Sequence, residues 1–321
     1  MAKHLPEHFT DVDAARAYLE AQRWPDGVTC PHCGADDVTS MKGKAHRPGV
    51  YQCNACREQF TVTVGTVFER SKVPLNTWLY ATHLLCSSKK GMSAHQLHRM
   101  IGVTYKTAWF MMHRIREAMK VENGSEPIGG EGKTVEADET YFGKRENPVP
   151  SVHRRGRPYI GKGKGPAGKR AVVALVERGG EVRSFHVERA TKDSIREVLV
   201  RNVSRKSALH TDESNLYTDI GAEFSDHRTV RHSANEYVRY DADAIVHSNT
   251  VENVFSVFKR GMRGIYQHCG EAHLHRYLAE FDFRYNRRTA LGWTDDQRTD
   301  DALKGIEGKR LTYRRIGEAP N

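Results

Sequence analysis

Cys30, Cys33, Cys53 and Cys56 are spaced C-x2-C-x19-C-x2-C, and this spacing constrains the first part of the chain more than any other feature. Each Cys-x-x-Cys pair sits beside a turn residue, in TCPHCG and in YQCNACREQF. Two such knuckles brought together place four thiolates tetrahedrally around a Zn²⁺ ion. The run QFTVTVGTVF that follows suits a strand returning beneath the site, so the spacing predicts a zinc ribbon with a structural Zn²⁺. Cys86 and Cys269 have no partner at ligand spacing, and Cys86 reads as a core residue of the helical run TWLYATHLLCSS. None of the 17 histidines shows ligand spacing as clear as the cysteines. A ribbon fixes the metal well and its partner poorly, because such modules bind nucleic acid or protein.

At 321 residues the chain has room for two or three domains and a full core without disulfide staples. Lys and Arg total 50 against 40 Asp and Glu, a formal charge of +10 that favours a polyanionic partner, most simply nucleic acid. No apolar run is long enough to span a membrane, and the N-terminus lacks the apolar stretch of a signal peptide. The expected location is the cytoplasm, where cysteines serve as metal ligands or core residues rather than disulfides.

Residues 8–26 read as a short amphipathic helix and 75–121 as helices. Within the latter, SAHQLHRMIGVTYKTAWFMMHRIREAMK has the form of a helix-turn-helix. Ser93 and Gln96 make a capping box, Gly102 sits at the turn, and Thr104 caps the second helix. Ala108, Met111, Met112, Ile115 and Met119 share one face of that helix. The remaining faces carry Tyr105, Lys106, Trp109, His113, Arg114 and Arg116, which are expected to face DNA in a major groove. Gly-rich residues 122–132 read as a linker, and a β-rich pattern starts at Lys133. Residues 143–170, rich in Gly, Pro, Lys and Arg, read as a flexible basic loop able to clamp a phosphate backbone. The runs AVVALVERGG and EVRSFHVERAT form a hairpin turning at Gly179-Gly180, followed by a helix at 192–202 and a short strand leading to Asp212. Strands, hairpin, helix, strand and later helices describe an α/β layer with a mixed sheet.

Three acids stand in contexts that suit one metal-dependent nuclease centre. Asp138 lies in the strand-like KTVEADETYFG, Asp212 closes SALHTDES, and Glu252 lies in SNTVENVFSVFKRG. In that last run Val251, Val254, Phe255 and Phe258 form an apolar helical face. Asn249, Glu252, Ser256 and Lys259 form an adjacent polar stripe, with Glu252 and Lys259 two turns apart. Carboxylates from two strands and a helix can hold two Mg²⁺ ions, and the lysine can hold a phosphate. In HLHRYLAEFDFRYNRR, Leu274, Tyr277, Leu278 and Phe281 have core spacing, and Arg284, Arg287 and Arg288 are candidate DNA contacts.

At these residues the chain resembles a bacterial insertion-sequence transposase of the DDE class, with an N-terminal zinc ribbon, helices and an RNase H-like catalytic domain. The carriers are CPHCG with YQCNACREQF, KKGMSAHQL with YKTAWFMMHRIR, VEADETYFGK, LHTDES, HSNTVENVFSVFKRGMRGIYQH and HLHRYLAEFDFRYNRR, in that order along nearly the whole chain. The resemblance implies Asp138 and Asp212 as the two aspartates, Glu252 as the third acid, and Lys259 as the basic residue beyond it. Some relatives use an Asn in the third role, and Asn249 is the alternative. Glu139, Glu213, Asp241 and Asp243 are lesser candidates.

The resemblance also implies a mixed five-stranded sheet with its first strand central and its fourth alongside, making Asp138 and Asp212 neighbours. It divides the chain into an N-terminal helical segment (1–26), a zinc ribbon (27–70), a helix-turn-helix region (71–122), a catalytic domain (133–290) and a C-terminal tail (291–321). It implies an enzyme of the prokaryotic cytoplasm, associated with the nucleoid, working as a homo-oligomer on double-stranded DNA. That enzyme would bind inverted-repeat ends, cleave them in a metal-dependent step and transfer the strand to a target. The rivals are a zinc-ribbon and helix-turn-helix regulator without catalysis, and an RNase H-like nuclease without strand transfer.

Overall fold

The computed structural model describes residues 5–43, 46–120, 126–146 and 168–312. It divides into two compact units, one of residues 1–120 with 287–321 and one of residues 121–286.

The first unit opens with a 3-10 turn at Glu7–Phe9 and helix α1 (Val12–Arg23). Asp11 starts α1 by accepting from the Ala14 N–H at 2.7 Å, which satisfies one of the free donors of the first turn. The ribbon is a three-stranded antiparallel sheet of β1 (Val38–Ser40), β2 (Tyr51–Cys53) and β3 (Gln59–Phe60) in that order. Trp24, at the end of α1, packs edge-on against Tyr51 and Phe60 at 5.7 and 6.0 Å between ring centres. Arg23 donates to the carbonyls of Val62 and Val64 at 2.7 and 2.8 Å. Helix and ribbon are thus one packed module.

Three helices follow, α2 (Leu75–Ser87), α3 (Ala94–Ile101) and α4 (Tyr105–Ala118). Ser93 accepts from the Gln96 N–H at 3.1 Å and Thr104 from the Thr107 N–H at 3.2 Å, so both residues cap their helices, but the Gln96 side chain turns toward Met100 and only the Ser93 half of the expected capping box forms. Gly102 ends α3 at φ +69°, the left-handed conformation that favours glycine.

The expected C-terminal tail is instead an integral part of this unit. Helix α9 (Asp295–Lys304) packs on α1, α2 and α4. Arg298 donates to the Cys86 carbonyl at 3.0 Å, and the Val67 N–H donates to the Ile306 carbonyl at 3.1 Å. A side chain on Gly305 would meet the Ala118 carbonyl at 2.2 Å, so the close approach of this segment to α4 depends on that glycine.

The second unit is built on a five-stranded mixed sheet of β4 (Thr134–Lys144), β5 (Lys169–Glu177), β6 (Val182–Val187), β7 (Ala208–Thr211) and β8 (Asp226–Thr229). The order is β6-β5-β4-β7-β8. β4, β5 and β6 form an antiparallel meander, while β7 and β8 run parallel to β4 and to each other. The first strand is central and the fourth lies beside it, the RNase H-like order. One face is covered by α5 (Lys192–Asn202) and the short α6 (Thr218–Gly221), with Ile195, Leu199, Tyr217 and Ile220 packed on Val135, Ala137, Val173 and Leu175. A two-stranded ribbon, β9 (Arg239–Tyr240) with β10 (Ile245–Val246), leads into α7 (Asn249–Gly261), and α8 (Leu274–Asn286) follows. Val251, Val254, Phe255, Phe258, Leu274, Tyr277, Leu278 and Phe281 pack on Val172, Ala174 and Val176 of the other face.

The expected linker is partly structure. Ile128 is buried and bridges to Val203, and the Gly130 N–H donates to Ser207 Oγ at 2.8 Å. Residues 121–125 lie outside the described residues, as do 147–167 of the expected basic loop.

Candidate active site and structural metal centre

The four cysteine sulfurs lie within 4.8 Å of one another. Cys30 and Cys56 Sγ are 3.7 Å apart, and Cys33 and Cys53 Sγ 3.6 Å. A Zn–S bond of about 2.3 Å implies a tetrahedron edge of about 3.8 Å, so the quartet has the size of a Zn²⁺ shell. Backbone donors approach the knuckles, His32 N–H to Cys30 Sγ at 3.4 Å and Cys56 N–H to Cys53 Sγ at 3.5 Å. Such donation, foremost from Cys56, pulls the Cys53 thiol down to about 7. Cys86 and Cys269 are buried apolar residues, as expected of Cys86.

In the second unit, side chains alternate along β4. Asp138 pairs in register with Ala174, whose side chain belongs to the α7 side of the sheet, so Asp138 faces α7. Pairing of Glu136 with His210 brings the end of β7, and with it Asp212, alongside Asp138 across 73 intervening residues. The buried stripe of α7 seats that helix on the same face, and Glu252 flanks the stripe.

The three acids meet electrostatically. Burial first, and then the charges of Asp212, Glu139 and Glu252, hold the Asp138 carboxyl well above the usual carboxylate range. The Glu139 N–H opposes this by donating to Asp138 at 2.7 Å. Asp212 is steadied by the Ser214 N–H at 3.0 Å. Glu252 lies 3.4 Å from both His232 Nε2 and Ser248 Oγ. Lys259 is also within reach. Burial lowers its pKa, the Asp138 charge raises it, and Arg263 and Lys169 lower it further. Its ammonium lies 5.9 Å from the Phe255 ring centre. Asn249 opens α7 on its exposed side, one turn before Glu252.

A group of acids around a half-buried aspartate is the donor set hard divalent cations take. The carboxylates are more widely spaced than the sulfurs, since among the described residues the cysteines form the one group of three or more metal-ligand side chains whose ligand atoms all lie within 4.8 Å of one another.

Of the lesser candidates, Glu139 turns to the opposite face and accepts from the buried Tyr217 hydroxyl at 2.9 Å. Glu213 is bound by Ser233, and Asp241 and Asp243 are paired with Arg228.

The expected DNA-facing stripe of α4 needs correction. Tyr105 and Lys106 are exposed and Trp109 half-buried, but His113, Arg114 and Arg116 are buried. Arg114 donates to the carbonyls of Leu311 and Glu69 at 3.2 and 3.1 Å, tying together segments of its own unit. The second half of α4 is enclosed by α2, α9 and the chain beyond it, so its basic residues are internal. Arg284 is likewise buried and paired with Glu280, and Arg287 pairs with Asp301. Reasoning from sequence also missed Glu136, which lies two residues before Asp138 on the same face. Period-2 alternation places it on that face, but nothing in the sequence marks the partners that meet it there.

Comparison with known proteins agrees with this architecture. Residues 11–59 match the transposase zinc-ribbon domain, a match that begins within the N-terminal helical segment, and residues 129–286 match the ISXO2-like transposase domain. An uncharacterized protein in transposable element ISH50 of Halobacterium salinarum is 31% identical over 285 residues, covering 86% of this chain and 91% of the relative. Among solved structures, a chain of a simian T-cell lymphotropic virus intasome in complex with PP2A regulatory subunit B56 gamma overlays with a TM-score of 0.31 and 15% identity, over 71% of this chain and 74% of that one. A chain of the Mos1 strand transfer complex overlays at 0.21 and 12%, over 67% and 77%. Overlays this loose bear on neither fold nor function. The two domain matches in succession, with a transposable-element relative similar along most of both chains, establish that this chain belongs to the zinc-ribbon DNA transposases that carry an ISXO2-like transposase domain.

Proposed function

We propose that this transposase cleaves the ends of its own mobile element and joins them to target DNA at a single two-metal site formed by Asp138, Asp212 and Glu252. The observation that carries this reading is convergence: the charges of Asp212 and Glu252 are felt at Asp138, although the three residues come from a central strand, the end of its neighbour and a helix. Mg²⁺ ions bound there supply Lewis acidity for phosphoryl transfer. Asp138, Asp212 and Glu252 would hold the ions on the α7 side of the sheet. Lys259 is not a ligand, because a protonated lysine has no lone pair, and it holds a phosphate beside the acids. Both steps use oxygen nucleophiles, so no side chain needs to become covalently attached. Exposed Tyr105 and Lys106 with half-buried Trp109 form the part of α4 available to an element end. The enzyme would act in the prokaryotic cytoplasm, on nucleoid DNA, as a homo-oligomer.

The test uses full-length protein on short duplexes carrying the terminal sequence of the element that encodes it. Asp138→Ala, Asp212→Ala and Glu252→Ala should each lower Mg²⁺-dependent cleavage and joining by about a thousandfold or more while leaving duplex binding largely intact. Asn249→Ala should stay active. An inactive Asn249→Ala beside an active Glu252→Ala would move the third ligand to Asn249, and cleavage without joining would reduce the enzyme to a nuclease.

A further inference from the structure

Glu136 is fully buried on the central strand and takes no part in the chemistry described above. Its carboxylate accepts from the backbone N–H groups of Thr250 and Val251 at 2.8 and 3.1 Å, and from the Thr250 hydroxyl at 2.9 Å. Thr250 and Val251 are the second and third residues of α7, positions whose N–H groups a capping side chain ordinarily satisfies. Ser248, at the cap position, makes no such bond. Its hydroxyl is turned to His232 at 3.2 Å and to Glu252 at 3.4 Å. A carboxylate from β4 therefore caps the helix that carries Glu252, with its charge at the favourable end of the helix dipole.

A second set of bonds locks the same joint. Arg178, just past β5, donates to Glu136 at 2.7 Å and neutralises it. The same guanidinium donates to the carbonyls of Ile245 and His247 at 2.7 and 2.9 Å, in the segment that enters α7. The nitrogen that donates to His247 also lies 3.1 Å from His210 Nδ1 on β7, and His247 Nδ1 lies 3.1 Å from Glu136. The strand bearing Asp138, the strand leading to Asp212 and the first turn before Glu252 thus meet at one carboxylate–guanidinium pair.

We infer that Glu136 is a positioning residue, which with Arg178 sets the placement of Glu252 relative to Asp138 and Asp212. The inference rests on the reading of those three acids as the metal-holding group. The chemistry demands a carboxylate. Two backbone N–H groups, a hydroxyl and a guanidinium converge on it, and only an ionised carboxylate offers about four acceptor sites and no donor. A glutamine of the same shape would turn its NH₂ toward some of these donors.

The experiment uses full-length Glu136→Gln, followed by Mn²⁺ titration monitored by electron paramagnetic resonance, by amide hydrogen exchange, and by cleavage of an element-end duplex at graded metal concentration. Outer groups that orient metal ligands typically change metal affinity 10–100-fold. The expected result is Mn²⁺ binding weaker by roughly tenfold, cleavage partly restored at high metal, and faster exchange confined to the first turn of α7. Asp138→Asn is the control for the underlying reading and should abolish Mn²⁺ binding at this site. Wild-type Mn²⁺ affinity in Asp138→Asn would overturn the metal reading itself. Loss of binding in Asp138→Asn with wild-type affinity in Glu136→Gln would leave that reading standing and overturn the positioning role, making Glu136 a helix cap only. If Glu136→Gln fails to fold, Arg178→Lys decides. It keeps a charge beside Glu136 but loses the bonds to Ile245 and His247, so it should weaken Mn²⁺ binding about threefold. Unchanged affinity in folded Arg178→Lys would count against the proposal in the same way.

Discussion

The cysteine quartet and the carboxylate trio are both groups of metal-ligand type, and they are built on opposite principles. The sulfurs come from two short knuckles, close to tetrahedral size, and are held by backbone donors within the same turns. The carboxylates come from a strand, a strand end and a helix, stand further apart, and leave Asp138 in an environment that resists ionisation. A structural site can be satisfied locally because its only task is to stay closed. The proposed catalytic site would have to keep room for substrate and hold like charges near one another, a task that falls to the whole sheet and the seating of α7. The same contrast explains what could be read from the sequence. Cys-x-x-Cys spacing is itself the geometry, whereas Asp138, Asp212 and Glu252 become a site only through strand order.

The largest effect tests the independence of the two centres. Cys53→Ser should lose the zinc, since three thiolates cannot close the shell, and should weaken binding of element-end DNA by an order of magnitude or more. The sheet of the second unit should keep its exchange protection. Elemental analysis and hydrogen exchange on the same sample check this. Loss of protection throughout β4 and β5 would show that the ribbon supports more than itself.

A smaller effect is expected at Lys259, which is tied to the acids through the field of Asp138. Lys259→Ala should keep Mn²⁺ affinity within a few-fold and lower end cleavage by roughly 10–100-fold, through poorer placement of a phosphate. Lys259→Arg should recover part of that, because the charge survives while the donor geometry changes. Full activity in the alanine variant would leave Lys259 as an ordinary helix charge.

Helix α4 repeats the contrast on a smaller scale. From sequence its basic residues form one class, but in the structure Lys106 is exposed and Arg114 is a buried staple. Arg114→Ala should cost about 2 kcal/mol of stability by leaving the Leu311 and Glu69 carbonyls without their donor. Lys106→Ala should be neutral for stability and reduce the slope of log affinity against log salt by about 0.9 if it meets one phosphate. Thermal melts and salt titrations of duplex binding separate the two, and a salt-slope change in the arginine variant alone would reverse the assignment.

Helical periodicity marked the Met111, Met112 and Ile115 face correctly, and capping residues located the N-termini of α3 and α4. What periodicity could not reveal was the enclosure of the other faces. The polar run DDQRTDDALK of α9 reads as a solvated tail, yet its Arg298 is buried and bonded to the Cys86 carbonyl, more than two hundred residues away in sequence. Glu136 was hidden for the same reason. A buried glutamate among valines and alanines in a central strand makes sense only when a distant helix terminus and Arg178 arrive to meet it. Hydrophobic patterning records which side of an element faces inward, and polar contacts between elements distant in sequence leave no such pattern.

The smallest effect bears on the cost of holding the carboxylates together. The Asp138 carboxyl lies above its ordinary value of 3.8 in the folded protein, through burial and then the charges of Asp212, Glu139 and Glu252. Between that value and the raised one, the folded form binds more protons than the unfolded chain, so this group's contribution to stability falls as pH rises through the window and remains unfavourable above it. Asn at this position cannot ionise. Without divalent cations, Asp138→Asn should therefore melt at a higher temperature than the wild-type protein at pH 7, and the difference should shrink as pH falls toward 4. Millimolar Mg²⁺ should reverse the order, because it binds the folded wild-type site and not the variant. Melting both proteins at pH 4, 5.5 and 7, with and without Mg²⁺, measures each part. At pH 7 the zinc ribbon serves as the internal reference, since its ligands are untouched and its zinc content should not differ between the two proteins. A variant that is less stable at pH 7 in metal-free buffer would mean that Asp138 is held by its hydrogen bonds more than it is opposed by its acidic neighbours.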